Sequence, residues 1–338
     1  MKPNTKEKLE APGLSQERTS QTALCTQSRS MADLLLYEKA HDIAACCQLA
    51  LLLEVSAYPK PGLVHRTREF RETSFEHFLS SASSLYWPFF EAAMVGLRGR
   101  GSIGPLVKLA VRRMLSWQHG GNTHLGALLL VMPLAAAAGM AGDSVVKPSE
   151  LRKELKRVLR MMGPEDTESI FRSIAFTMPG GLGRVPYMDV TEPKTYEEIR
   201  RKGITPLMAL GLYKDRDIVA HEWATAYSLT FDLGYKELKR QIARARHLNE
   251  AIVNAFLSIL ARKPDTLIAR RAGIQVARLA SAMAERAARL GGISSMRGRR
   301  EVERMDERFR VGKLLRPGAT ADLLCSSLAV LLLEGFRP

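Results

Sequence analysis

Apolar residues in this chain recur every three to four positions and almost never alternate, and that periodicity limits what it can fold into more than any motif does. In "LNEAIVNAFLSILARK" the residues Leu248, Ile252, Phe256 and Ile259 share one helical face, and Pro264 ends the run. The same reading, in segments rich in Ala, Leu, Arg and Glu, predicts helices over residues 34–56, 74–98, 103–117, 123–141, 149–162, 215–233 and 274–291. Strands need an alternation that is missing here. The expected fold is all-α: a single multi-helix globular domain over residues 32–338. Residues 1–31, polar and mixed in charge, are expected to form a disordered tail rather than a signal peptide.

With 46% hydrophobic residues among 338, the chain has material for a substantial core. Its two most apolar stretches, "LGALLLVMPLAAAAGMAG" and "LLCSSLAVLLLEGF", fall short of the roughly 20 residues a membrane span needs, and Pro133 interrupts the first. Both read as buried core helices, so no membrane association is expected. The four cysteines, Cys25, Cys46, Cys47 and Cys325, form no CxxC pair and no disulfide framework, which favours a reducing cytoplasm. A net charge of +15 predicts attraction to anions without naming them. A basic helical nucleic-acid-binding protein is one reading of that charge, but the arginines are spread over many helices and no stacking motif accompanies them.

Function is sought in the interruptions between helices, because loops on rigid scaffolds carry binding and catalysis. The first, "EVSAYPKPGLVHR", follows a helix on which Ile43, Cys47, Ala50 and Glu54 form one stripe. A carboxylate on an apolar stripe needs a partner. Lys60, His65 and Arg66 are candidates, and Glu54 is either half of a buried ion pair or a general base or metal ligand. Pro59 and Pro61 restrict the backbone around Lys60, as suits a pre-organised phosphate contact. Gly62 permits a positive φ or a close approach of the backbone to a ligand.

In "HGGNTHLGALLL" either Asn122 or Thr123 can cap the helix that follows, and a helix N-terminus with free amides attracts anions. His124 adds a donor or proton-transfer group. No zinc spacing joins His119 to His124, and "HEWAT" places Thr225 where a zincin has its second histidine. "PGGLGRVP" matches neither a dinucleotide fingerprint nor a Walker loop. The polar stripe His221, Thr225, Ser228 and Asp232 reads as a solvated face; the charged segment 291–318 reads as a solvated surface arm or, functionally, as an arginine-rich cover over an anionic ligand. In "PGATADLL" the first-turn Asp322 is explained by the helix dipole alone.

Taken in order, "EVSAYPKPGLVHR", "GGNTHLGALLL", "DTLIARRAG" and "RPGATADLL" resemble the ATP:dephospho-CoA triphosphoribosyltransferase family, also called triphosphoribosyl-dephospho-CoA synthases. The resemblance runs from about Leu34 to the C-terminus. It implies an all-helical fold and a reaction in which the ribose 2'-hydroxyl of 3'-dephospho-CoA attacks C1 of the ATP ribose and adenine departs. It implies Glu54 as base or metal ligand, His124 as a catalytic group, and Mg2+ accompanying the triphosphate. Lys60, Gly62, His65 and Arg66 are then expected at the substrate with Asn122 and Thr123. The last two motifs add Asp265, Arg271, Thr320 and Asp322 to the substrate-binding set. Departures from the family pattern fall at His65, where Asp is usual, at Leu125, where Lys is usual, and at "GGLGRVPYMDV". They leave open a related nucleotide-dependent transferase or hydrolase with a different acceptor.

Overall fold

The computed structural model describes residues 31–311 and 315–338. Residues 1–30 of the expected tail, with Cys25, lie outside the described residues; Met31 already belongs to the first helix. Helices follow one another as α1 Met31–Ser56, α2 Phe75–Ser84, α3 Tyr86–Arg98, α4 Gly104–Ser116, α5 Leu125–Ala141, α6 Pro148–Met161, α7 Pro164–Thr177 and α8 Pro193–Lys202. They continue as α9 Pro206–Gly211, α10 Ile218–Thr225, a π-helical turn Thr230–Tyr235, α11 Lys236–Ile242, α12 Leu248–Arg262 and α13 Thr266–Ala272. The chain closes with α14 Ile274–Arg289, α15 Met296–Arg310 and α16 Gly318–Leu333. Among the described residues the only β pairing is two isolated bridges, His65 to Arg68 and Phe70 to Thr73.

Apolar all round, α5 and α16 occupy the middle, as a helix without a polar face must. They pack on each other, and α1 lies against both. One core cluster takes side chains from Ala40 in α1 to Leu333 at the end of α16. No helix among the described residues is long and apolar enough to cross a membrane.

Helix α5 meets α3 through a reciprocal glycine notch. A Cβ on Gly96 would lie 2.0 Å from the Ala136 carbonyl oxygen, and one on Gly139 would lie 2.1 Å from that of Ala93. Those are backbone atoms, so nothing can swing aside, and the two helices touch main chain to main chain.

Three expectations are corrected. The helix expected over 74–98 breaks at Leu85, because Pro88 has no amide to donate to the carbonyl a turn earlier. The helix expected over 215–233 breaks after Thr225, where Ala226 and Tyr227 adopt positive φ (50° and 60°). There the fully buried Glu222 carboxylate accepts the amides of Leu229 (2.9 Å) and Thr230 (2.7 Å), replacing the helix ladder with a side-chain cap. The stripe from His221 to Asp232 is therefore folded over, and Ser228 reaches His221 Nε2 at 3.3 Å.

The third correction concerns the segment 291–318. Its charge hides α15, in which Val302, Met305, Asp306 and Phe309 are buried at helical spacing against the body of the protein. Helices α7 and α8 were not expected either. Each starts on a proline in its first turn, at Pro164 and Pro193, a start signal present in the sequence.

Candidate active site

The end of α1 supplies the first wall of a cavity of about 520 Å³. Its other walls are the loop Ala57–Val64, the corner before α5, the loop 178–190, α13 and the N-terminus of α16. The size suits a small-molecule site.

Glu54 and Lys60 line this cavity and form a buried ion pair; the Lys60 ammonium also bonds the Glu54 carbonyl oxygen. Burial lowers the Lys60 pKa, and the Glu54 carboxylate works against that shift. The loop holding Lys60 is fixed by Asp306 of α15, distant in sequence. Its carboxylate accepts the amide of Gly62 (2.8 Å), the Arg68 guanidinium (2.8 Å) and the Arg310 guanidinium (2.9 Å). Gly62 has φ +71°, and a Cβ there would lie 2.5 Å from the Leu315 carbonyl oxygen, so positive φ and close backbone packing both demand glycine.

At the corner before α5, Asn122 does the capping, its Oδ1 accepting the Leu125 amide at 3.0 Å. Thr123 donates to Ser81 Oγ (2.9 Å), and Ser81 Oγ lies 2.8 Å from His124 Nδ1. His124 Nε2 is buried without a hydrogen-bond partner among the described residues. Burial, and then the nearby Lys60 charge, lowers the His124 pKa to about 3, so the ring is neutral.

Asp322, expected in the first turn of α16, stands as its fifth residue, beyond that turn; it opens onto the same cavity, and Gly126 makes room for it: a Cβ there would lie 2.0 Å from Asp322 Oδ2. Burial raises the Asp322 pKa well above the carboxylate range. The negative charges of Glu54, Asp265 and Asp217 add to the effect. The dipole explanation for Asp322 is therefore insufficient.

Positive charge gathers where α13 meets the loop before α16. Arg270 pairs with Asp217, the cap of α10. Arg316 stacks on Phe70 (3.6 Å), pairs with Glu72 (2.7 Å), and keeps a buried Nε without a hydrogen-bond partner among the described residues. Arg271 has no ion pair among the described residues; burial, then the Arg316 and Arg270 charges, lowers its pKa. Three like charges held this close favour an anion between them.

Glu54, Lys60, Gly62, Asn122, Thr123, His124, Arg271 and Asp322 thus share one cavity. Four other expected site residues stand off its lining. His65 is buried, its Nδ1 3.1 Å from Thr67 Oγ1, and burial lowers its pKa to about 4. Arg66 lies outside on the ring of Tyr58, 4.2 Å from its centre. Asp265 and Thr320 face each other behind the wall. Asp265 caps α13 through the amides of Leu267 and Ile268 (2.9 Å each), while its second oxygen accepts the Thr320 amide (2.7 Å) and hydroxyl (2.8 Å). These two set α13 against α16 rather than reach into the cavity.

Ser81, Asp217, Arg270, Arg316 and Asp306 were missed. The α15 residue was detectable from its apolar spacing, and Arg270 from its place beside Arg271 in "DTLIARRAG". Nothing in the sequence marks Ser81.

The family model of the ATP:dephospho-CoA triphosphoribosyl transferases matches residues 40–337. The chain belongs to that family. Relatives in it include proteins assigned as 2-(5''-triphosphoribosyl)-3'-dephosphocoenzyme-A synthases. One, from Pseudomonas fluorescens Pf0-1, is 27% identical over 304 residues, covering 87% of this chain and 91% of the relative. Another, from Azotobacter vinelandii DJ, is 27% identical over 292 residues, covering 82% and 87% respectively. A crystallised Archaeoglobus fulgidus protein assigned as a triphosphoribosyl-dephospho-CoA synthase superposes with a TM-score of 0.60 at 24% identity. It covers 77% of this chain and 100% of its own, and shares the fold.

Proposed function

We propose that this triphosphoribosyl transferase family member moves the 5'-triphosphoribosyl group of ATP onto the ribose 2'-hydroxyl of 3'-dephospho-CoA and releases adenine. The observation that carries the reading is one cavity lined both by Asp322, Glu54 and His124 and by Arg270, Arg271 and Arg316. Glycosyl transfer at C1 needs an acceptor for the hydroxyl proton, and Asp322, its basicity raised by burial and by neighbouring carboxylates, suits that role. The arginine cluster takes the triphosphate, the part of ATP that stays with the ribose. This reading moves the phosphate contacts away from His65 and Arg66.

Mg2+ fits the chemistry of the donors: Asp322 and Glu54 offer hard carboxylate oxygens, and their mutual repulsion is what a divalent cation offsets. Glu54 would hold the ion, since its contact with Lys60 engages Oε1 only. Bound there, Mg2+ would supply neutralisation of triphosphate charge.

The direct test incubates the protein with ATP, Mg2+ and 3'-dephospho-CoA and follows free adenine and the coupled product by mass spectrometry. Adenine and the product should rise together. Release of ADP and phosphate in their place overturns the reading. Asp322→Asn should lower kcat by roughly 10²- to 10⁴-fold while ATP still binds.

A further inference from the structure

Helix α2 lines the cavity through Phe78, and behind that wall its Ser81 is fully buried and hydrogen-bonded to two members of the corner before α5. The direction of that short chain favours one state of the imidazole. Thr123 donates its hydroxyl proton to Ser81 Oγ, so the Ser81 proton is free to go to His124 Nδ1. A neutral imidazole that accepts at Nδ1 carries its hydrogen on Nε2. That nitrogen is the one buried without a partner, in a side chain that lines the cavity. Phe78 holds the ring edge-on, with centroids 5.0 Å apart at 80°, which restricts its rotation. A donor kept dry and unpaired costs stability unless a ligand completes it.

We propose that Ser81 is a positioning residue that fixes His124 as the Nε2–H tautomer, and that this N–H donates a hydrogen bond to a ring nitrogen of the departing adenine. The inference rests on the proposed transfer activity, and it adds the group that assists the leaving base. The C1–N9 bond breaks with its electron pair going to adenine, and the C1–O bond forms to the acceptor hydroxyl. The hydroxyl proton passes to Asp322 and then to solvent, and adenine takes one proton from solvent. His124 keeps its own proton throughout. A ring with so low a pKa cannot hand over a proton as imidazolium near neutrality, but it can donate a hydrogen bond that strengthens as negative charge builds on the base.

Two measurements test this separately. The first is 15N NMR of the full-length protein labelled at its seven histidines, with His124 assigned by comparison with His124→Gln. The expected spectrum has a protonated Nε2 and an unprotonated Nδ1 for His124, and Ser81→Ala should mix the two tautomers. A wild-type ring protonated at Nδ1 overturns the inference whether or not the protein makes adenine. The second compares ATP with 3-deaza-ATP and 7-deaza-ATP. Ser81→Ala should lower kcat roughly 10- to 100-fold with little change in KM. It should cause no further loss with the analogue that lacks the bonded nitrogen. Additive losses with both analogues, or a change confined to KM, overturn it. If wild type releases no adenine, the proposed function fails while the NMR result still decides the tautomer.

Discussion

His65 and His124 are both buried histidines in loops beside short motifs, yet only one of them faces the cavity. His65 is a packing residue with a measurable consequence. Its pKa falls to about 4 in the folded protein, against 6.5 when exposed, chiefly through burial. The unfolded chain takes up this proton first as pH falls. Stability from this residue is therefore complete above pH 6.5 and lost as pH drops toward 4, by about 1.4 kcal/mol per pH unit. The buried carboxylates Asp265, Asp322 and Glu222, whose pKa values are raised, act in the opposite direction, so the test compares slopes. Between pH 6.5 and 4.5, His65→Gln should lose about 2 kcal/mol less than wild type in urea unfolding. The Glu54–Lys60 pair was legible because its members lie six residues apart. The Ser81–His124 and Gly62–Asp306 contacts span 43 and 244 residues, and no local pattern encodes them.

Some helix starts and stops were legible from local determinants, although the equally local signals at Pro88, Pro164 and Pro193 were passed over. Asn122 caps α5 from three residues away, and Pro264 follows the end of α12 closely. Where a distant or buried side chain acts as the cap, the sequence misleads: Glu222 ends a helix that periodicity would have continued. Asp265 is the strongest case, since one carboxylate serves the N-termini of α13 and α16 together. Asp265→Ala should cost roughly 2–4 kcal/mol of stability, through a lost cap and an orphaned buried hydroxyl and amide. At temperatures where the variant is folded, calorimetry should find its ATP affinity within about threefold of wild type if the residue only positions helices; a tenfold loss would return Asp265 to the ligand.

For the molecule as a whole, a net charge of +15 draws anions toward any surface, while in the proposed function the arginine cluster would hold them at one place. The two effects separate with salt. Raising ionic strength from 0.05 to 0.5 M should weaken ATP binding by about tenfold in wild type, since exposed charge is screened within a few ångströms. Arg271→Ala should bind ATP roughly 10- to 100-fold more weakly at low salt and respond less to added salt, with adenosine affinity unchanged.

The glycine notch between α3 and α5 has a reach beyond its own contact. Gly139 sits 15 positions from His124, about 22 Å along a rod of the usual rise. Tilt introduced by a methyl group at that fulcrum would be magnified at the far tip, where the imidazole and Gly126 line the cavity. A pair of positions remote from the cavity therefore governs how accurately its wall is aimed.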